Sequence, residues 1–228
     1  MTRSDPPPRL RPKDAATLIL VRESRSGPEL LMGQREKNHV FMAGMYVFPG
    51  GRVDPDDARV AAAAELDADV AGRLAKSCTP RRARAIALAA IRELYEEAGL
   101  ILGAPAPMAS ADALGEPWRS IADRGFSPAL APLEYIARAI TPPGRPRRFH
   151  ARFFMADARH AHGELAGDGE LVDLRWVPLA GAKELPTAGI TRLILDEVTH
   201  RLADPERRRR PIPVFKTRRG RDTAVDYD

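Results

Sequence analysis

Ten residues, IRELYEEAGL from Ile91 to Leu100, place three carboxylates where a helix would gather them. At about 100° per residue, Glu93, Glu96 and Glu97 fall within an arc of roughly 100°. Ala87, Leu88, Ile91, Leu94, Tyr95 and Ala98 make up the opposite, apolar side, which must be the buried one. Acids at i, i+3 and i+4 repel one another. They also crowd the helix end at which the macrodipole disfavours anions. A divalent cation relieves both penalties, and hard carboxylate oxygens suit Mg²⁺ or Mn²⁺. A solvated acidic face on an exposed helix is the other reading of the same three residues.

Upstream, FPGGRVDPDD (Phe48–Asp57) sets two glycines side by side. Each adds chain entropy that folding must overcome. A tight strand-to-helix turn accounts for one glycine more readily than for two, so something is expected to pass too close to this backbone for a Cβ.

Other elements must hold these pieces in place. AATLILVRE and ELLMGQRE, joined by SRSGP, read as two strands with a turn. MYVFPGG reads as a further short strand. Between Asp56 and Gly99 the composition turns to alanine, leucine and charge, and predicts two helices, about 56–76 and 80–98. Thr79 is the expected N-cap of the second, Pro80 its first residue and Gly99 its C-cap. GEPWRSIADRG reads as a short helix, PLEYIARAI, RRFHARFFMAD and ELVDLRWVPL as strands, and AGITRLILDEVTHRLA as an amphipathic terminal helix. Strands and helices without regular alternation imply an α+β fold, a mixed sheet between helices.

The 228 residues suit one domain, with 44% hydrophobic and 29% charged residues. The organisation expected is an extended lead-in over 1–14, one domain over 15–203 and a basic tail over 204–228. No apolar run approaches a membrane span, and MTRSDPPPRLRP lacks the apolar core of a secretory signal. A single cysteine, Cys78, excludes an internal disulfide framework and fits a reducing cytoplasm; it reads as a spare thiol on an Ala-rich helix. The net charge of +5 lies largely in the two ends, including Arg3, Arg9, RRRR (207–210) and KTRRGR (216–221), which read as solvated, partly disordered tails.

RELYEEAGL resembles the core of the Nudix box, in which a glycine, five residues, an acid and a seven-residue spacer precede Arg-Glu-hydrophobic-x-Glu-Glu-x-Gly-hydrophobic. Gly51 fits the opening glycine and Asp57 stands where the family has glutamate. The spacer departs from the pattern: Ala58 to Ile91 is about 27 residues longer than the family's, which looks like an insertion inside the box over about 58–79. The resemblance covers about 15–203 and implies an α/β/α sandwich and an enzyme that hydrolyses a nucleoside diphosphate linked to another moiety. It implies that Glu93, Glu96 and Glu97 hold Mg²⁺ or Mn²⁺. Arg92 would orient a glutamate, Asp57 hold an outer water, and Gly50 and Gly51 bring bare backbone to the substrate's diphosphate. Relatives use a further glutamate ahead of a late strand. Glu170, directly before LVDLRWV, is the choice here, and Glu164 is the alternative. His160 and His162 have no third ligand at matching spacing and read as surface histidines.

Gly44–Gly51, G-x-x-x-F-P-G-G, with the Leu30-Leu31 pair before it, resembles family members that cleave coenzyme A. An arginine usual four residues before the glycine is replaced by Val40, so the match is partial. RAITPPGRPRRFHARFFMA (138–156) is similar to a branch with an insertion in the box that also takes acyl derivatives. Arg35, Arg147, Arg148 or the tail would meet the 3′-phosphate. The implied products are 3′,5′-ADP and a phosphopantetheine. Alternatives are an ADP-ribose, nucleotide-sugar or dinucleotide pyrophosphatase, or a non-catalytic module binding nucleotide or RNA. Three retained acids argue against the last, and no RNA-recognition aromatic pattern supports nucleic acid as a partner. The resemblance also allows a homodimer.

Overall fold

An antiparallel hairpin opens the fold. Strands β1 (Lys13–Ser24) and β2 (Gly27–Arg35) are in register from Val21 opposite Leu30 to Ser24 opposite Gly27. Gly27 supplies the positive φ of +106° that the turn requires. The computed structural model describes residues 10–36, 43–109, 111–167, 169–218 and 221–228, with the backbone alone at 217–218 and 221–226. Arg3, Arg9 and Val40 lie outside these residues, as does part of KTRRGR.

After the hairpin the chain pairs twice more with it. Strand β3 (Tyr46–Val47) lies against β2, and β4 (Gly50–Arg52) against β1, with Gly51 opposite Ala16 and Gly50 opposite Thr17. A single 3₁₀ turn, Pro55–Ala58, leads to helices α1 (Ala68–Ala75) and α2 (Pro80–Ala98). Then follow β5 (Ile101–Pro105), α3 (Trp118–Asp123), β6 (Phe126–Pro128), β7 (Glu134–Ile140), β8 (Phe149–Asp157) and β9 (Ala161–His162). The chain closes with β10 (Leu171–Pro178), α4 (Leu179–Ala182), α5 (Gly189–Leu202), β11 (Pro213–Arg218) and β12 (Arg221–Tyr227).

Among the described residues nine strands form one mixed sheet in the order β10-β2-β1-β8-β7-β11-β12, with β3 and β4 as additional partners of the hairpin. The β1–β8 and β7–β11 pairs are parallel. Side chains alternate across β1 as strand geometry demands. Leu18 and Leu20 join Ile91 and Leu94 of α2 on one face, while Ile19 and Val21 join Ile194 and Val198 of α5 on the other. The result is the expected α+β arrangement, a mixed sheet between helical layers.

Helix α2 has the expected limits. Thr79 Oγ1 accepts from the Arg82 N–H at 3.4 Å, Pro80 occupies the first turn, and Gly99 closes the helix at φ +71°. Its alanines are buried nearly all round, because small side chains let neighbouring layers approach closely.

Three expectations are corrected. No helix spans about 56–76: α1 covers only Ala68–Ala75. The alanines before it spend their backbone groups on the β6 region instead. The Ala63 N–H donates to Pro128 O at 2.8 Å, and the Leu130 N–H to Ala64 O at 2.7 Å. Tertiary pairing overrides helix propensity there, and Asp67 then caps α1 by accepting from the Asp69 N–H. The C-terminal segment is likewise no solvated tail, since β11 extends the sheet and buries Ile212, Val214 and Phe215. The segment is tied down by Arg201, which is 1% exposed; it bonds Glu197 at 2.7 Å and the carbonyls of Arg207 and Pro211 at 2.8 and 2.9 Å. Cys78 sits in the α1–α2 turn rather than on a helix, its Sγ donating to Leu74 O.

Candidate active site

The last two turns of α2 lie against the glycine strand β4, and the fit answers what passes so close to the backbone there. A Cβ on Gly51 would stand 2.4 Å from Glu93 Oε1, and one on Gly50 would stand 2.6 Å from Ala16 O of β1. The Gly50 N–H donates to Glu97 Oε2 at 2.8 Å. The double glycine is therefore required first by the acids and by strand pairing. Bare backbone approaching a substrate is not the immediate reason.

Arg92 organises the rest. It is 4% exposed and engages three carboxylates: Asp57 through Nε at 2.9 Å and Nη2 at 3.2 Å, Glu93 through Nη1 at 2.9 Å, and Glu96 through the same Nη1. Nη2 also donates to Arg52 O at 2.6 Å. Burial works against its charge, but the bonds to Asp57 and the Glu93, Asp57 and Glu96 charges outweigh burial and hold it protonated. Arg92 thus bonds both Glu93 and Glu96. Asp57 takes a different place from the one expected. Fully buried, it accepts from Arg92, from Trp118 Nε1 at 3.0 Å and from the Asp54 N–H at 2.7 Å. It anchors the guanidinium instead of holding an outer water.

The acids outnumber their cations. Burial pushes the Glu93 carboxyl up to about 7; Arg92 opposes the rise and Glu96 adds to it. Burial raises Glu97 well above the ordinary range, with the Gly50 N–H opposing, Glu93 adding, Arg35 opposing and Glu170 adding. Glu96 is also raised, chiefly by burial. Glu170 and Arg35 are thus brought to the same place as the helix acids, and they pair with each other at 2.6 Å. Glu164 does not join the cluster. Its carbonyl packs over Gly99, where a Cβ would come within 2.7 Å, and its side chain faces solvent. His162 lies against the Phe126 ring at 4.9 Å between centroids, and His160 accepts from Arg159. Arg147 and Arg148 lie in the β7–β8 connection, where Arg148 donates to Thr141 O and Leu10 O.

No family model matches the chain. Among solved structures it is similar to a Nudix hydrolase from Alicyclobacillus acidocaldarius, with 30% identity over 82% of this chain and 90% of that one and a TM-score of 0.59. The chain belongs to the Nudix hydrolase family. A mutator MutT protein from Bacillus halodurans shares the fold at 15% identity and a TM-score of 0.51, covering 95% of this chain and 97% of that one.

Nudix hydrolases are enzymes acting on pyrophosphate bonds, and they generally need divalent metal ions. The donor set of this Nudix hydrolase fits such an ion: hard oxygens, buried at Glu97 and partly exposed at Glu93 and Glu96, and short of positive charge. As placed, Glu93 and Glu96 turn onto Arg92 and Glu97 onto Gly50. Among the described residues, no three His, Cys, Asp or Glu side chains are grouped so as to hold an ion without moving. No helix among them is long and apolar enough to cross a membrane.

Sequence reasoning missed two supports of this site. Trp118 fixes Asp57 across 61 residues of chain, and its only local signal is an indole in an otherwise polar segment. On β10 the register slips between Val172 and Arg175, and Asp173 takes φ +47°. There Asp173 accepts from Tyr46 Oη and pairs with Arg175 at 3.1 Å, while Arg175 Nη2 donates to Tyr46 Oη at 3.2 Å. This brace stands three residues beyond Glu170. Bulges of this kind re-aim side chains near active sites.

Proposed function

We propose that this Nudix hydrolase is a Mg²⁺- or Mn²⁺-dependent cytoplasmic diphosphatase acting on coenzyme A or its acyl thioesters. Water adds to one phosphorus and the P–O bond of the diphosphate bridge breaks. The two products are phosphate monoesters, 3′,5′-ADP and (acyl-)phosphopantetheine. The carrying observation is the acid cluster at the end of α2, in which Glu93 and Glu96 share the Arg92 guanidinium and the buried Glu97 has a backbone N–H.

In this reading Glu93, Glu96 and Glu97 hold the ion. A bound divalent cation neutralises phosphate oxygens and lowers the barrier to attack by water. Arg92, anchored by Asp57, holds Glu93 and Glu96 on one side of the helix end, from which they turn to an arriving ion. The Gly50 N–H holds Glu97, and the bare backbone at Gly51 lets the Glu93 carboxylate lie against β4. Glu170 serves as proton acceptor from water, and Arg35 meets a substrate phosphate. Coenzyme A is favoured over other nucleoside-diphosphate compounds by G-x-x-x-F-P-G-G at Gly44–Gly51.

The test is a product-resolved screen with Mg²⁺ and Mn²⁺ over coenzyme A, acetyl-coenzyme A, ADP-ribose, a nucleotide sugar and a dinucleotide. The expected result is 3′,5′-ADP from the coenzyme A compounds at the highest kcat/KM. Cleavage of ADP-ribose or the dinucleotide with coenzyme A untouched would overturn the substrate assignment and leave the diphosphatase chemistry standing.

A further inference from the structure

An arginine has five N–H bonds to give, and Arg92 gives all five. Nε and Nη2 grip the two oxygens of Asp57 at 2.9 and 3.2 Å. Nη2 also reaches Arg52 O at 2.6 Å, and Nη1 divides between Glu93 at 2.9 Å and Glu96. A guanidinium is planar and rigid. Whatever fixes its edge on Asp57 therefore fixes where Nη1 stands, and with it the directions of Glu93 and Glu96. The Glu96 side chain is 34% exposed, so burial alone does not hold it.

Two neutral donors fix the Asp57 carboxylate, one on each oxygen. The Asp54 N–H reaches Oδ2 at 2.7 Å from the start of the same 3₁₀ turn, and Trp118 Nε1 reaches Oδ1 at 3.0 Å from α3. Asp57 is fully buried, so water is not at hand to replace the indole N–H. Without that bond the carboxylate recovers a partner only by turning on the guanidinium, and Nη1 moves with it. The indole has little freedom of its own, since Trp118 is 1% exposed. The segment around it grips the same pieces at two further points. The Gly115 N–H donates to Asp56 Oδ2 at 2.9 Å. Ser120 Oγ and Tyr95 Oη share a hydrogen bond at 2.6 Å, and Tyr95 lies between Arg92 and Glu96 along α2.

We propose that Trp118 is a positioning residue for ion binding. Its indole N–H sets the Asp57 carboxylate, Asp57 sets the Arg92 guanidinium, and Arg92 sets the directions from which Glu93 and Glu96 turn to an ion. Trp118 itself touches neither ion nor substrate. The inference rests on the reading that Glu93, Glu96 and Glu97 hold a divalent cation, and is independent of coenzyme A as the substrate.

Trp118→Phe keeps an apolar ring and removes the N–H. Calorimetric titration with Mn²⁺, at a temperature where every variant is folded, is expected to show affinity weakened roughly tenfold, the low end for loss of an outer partner of metal ligands. Ile121→Ala is the comparison, because Ile121 is fully buried on the same helix and has no polar group to lose. It is expected to lower the melt and leave Mn²⁺ affinity unchanged. Equal weakening in both variants would mean that Trp118 acts through packing alone, and would overturn the proposal. So would unchanged affinity in Trp118→Phe. If Trp118→Phe does not fold, the unaltered protein carries the test. It has two tryptophans, and their indole ¹H–¹⁵N signals are assigned with Trp176→Phe. Saturating Mg²⁺ is expected to shift the Trp118 signal more than the Trp176 signal, because an ion drawing on Glu93 and Glu96 alters what Arg92 gives to Asp57. Equal shifts, or a Trp118 signal that stays in place, would overturn it. Absence of Mn²⁺ binding by the unaltered protein would bring down the cation reading and this inference with it, a failure distinct from ion binding that ignores Trp118.

Discussion

Helix α2 carries charge of the disfavoured sign at both ends, and the two ends handle it differently. Its first two turns hold Arg81, Arg82 and Arg84, and its last two hold Glu93, Glu96 and Glu97, charges of the sign the macrodipole opposes. At the N-terminal end, partners come from elsewhere in the fold. Arg82 and the buried Arg152 share Asp14, Arg84 pairs with Glu65 at 2.7 Å, and Arg138 pairs with Asp228 at 2.7 Å. Any remaining positive charge is limited by keeping His150 neutral: burial, then Arg152 and Arg138, push it down to about 4. At the C-terminal end, Asp57, Glu93 and Glu96 share one guanidinium and Glu97 has a backbone N–H. At one end carboxylates from elsewhere in the fold meet the basic groups, whereas at the other the acids outnumber the cations that meet them.

Breaking the C-terminal cluster gives the largest effects. Arg92→Ala strands Asp57 as a buried, uncompensated carboxylate and is expected to cost about 3–5 kcal/mol in urea unfolding, with activity lost. Glu97→Gln separates the two consequences. Its amide oxygen still accepts from the Gly50 N–H, so the melt stays near that of the unaltered protein while turnover is abolished. Full activity in that variant would mean the ion is held elsewhere. Gly51→Ala drives a Cβ into the Glu93 carboxylate, 2.4 Å away, and is expected to lower kcat roughly a hundredfold with the fold retained.

The N-terminal cluster should respond in the opposite way. Asp14→Asn removes the shared partner of Arg82 and Arg152 and is expected to cost about 1–3 kcal/mol of stability, with kcat unchanged. The smallest effect is a pH limb. His150 titrates at about 4 in the folded chain against an ordinary 6.5, so the unfolded chain takes up a proton first. Stability therefore falls as pH drops from about 6.5 to about 4, by up to roughly 2–3 kcal/mol. His150→Gln is expected to flatten that part of a urea-midpoint series.

Helix α2 is more legible in the sequence than what surrounds it. Thr79-Pro80 and Gly99 are local signals, and local capping chemistry decides where α2 begins and ends. The three acids are legible for the same reason, since helical spacing alone puts them on one arc. Residues 58–67 are not legible: their alanines favour helix, but pairing of Ala64 with Ala129 lies outside any local window. PIPVFKTRR reads as a tail because its prolines and arginines mask the three buried apolar residues, Ile212, Val214 and Phe215, that dock it. Gly51 and Asp57 are legible as special positions but not in their roles. Those roles depend on Glu93 and Arg92, some 40 residues away in sequence.

The acid surplus at the end of α2 is either a cation site or an unrelieved repulsion, and one measurement separates the two. Mn²⁺ titration by calorimetry at pH 6.5, repeated in buffers of different ionisation enthalpy, measures binding and proton release together. Carboxyls raised by burial must give up protons to bind an ion. The result expected is Mn²⁺ binding with net proton release, lost in Glu97→Gln and kept in Asp14→Asn. Binding without proton release, or binding undiminished in Glu97→Gln, would contradict it.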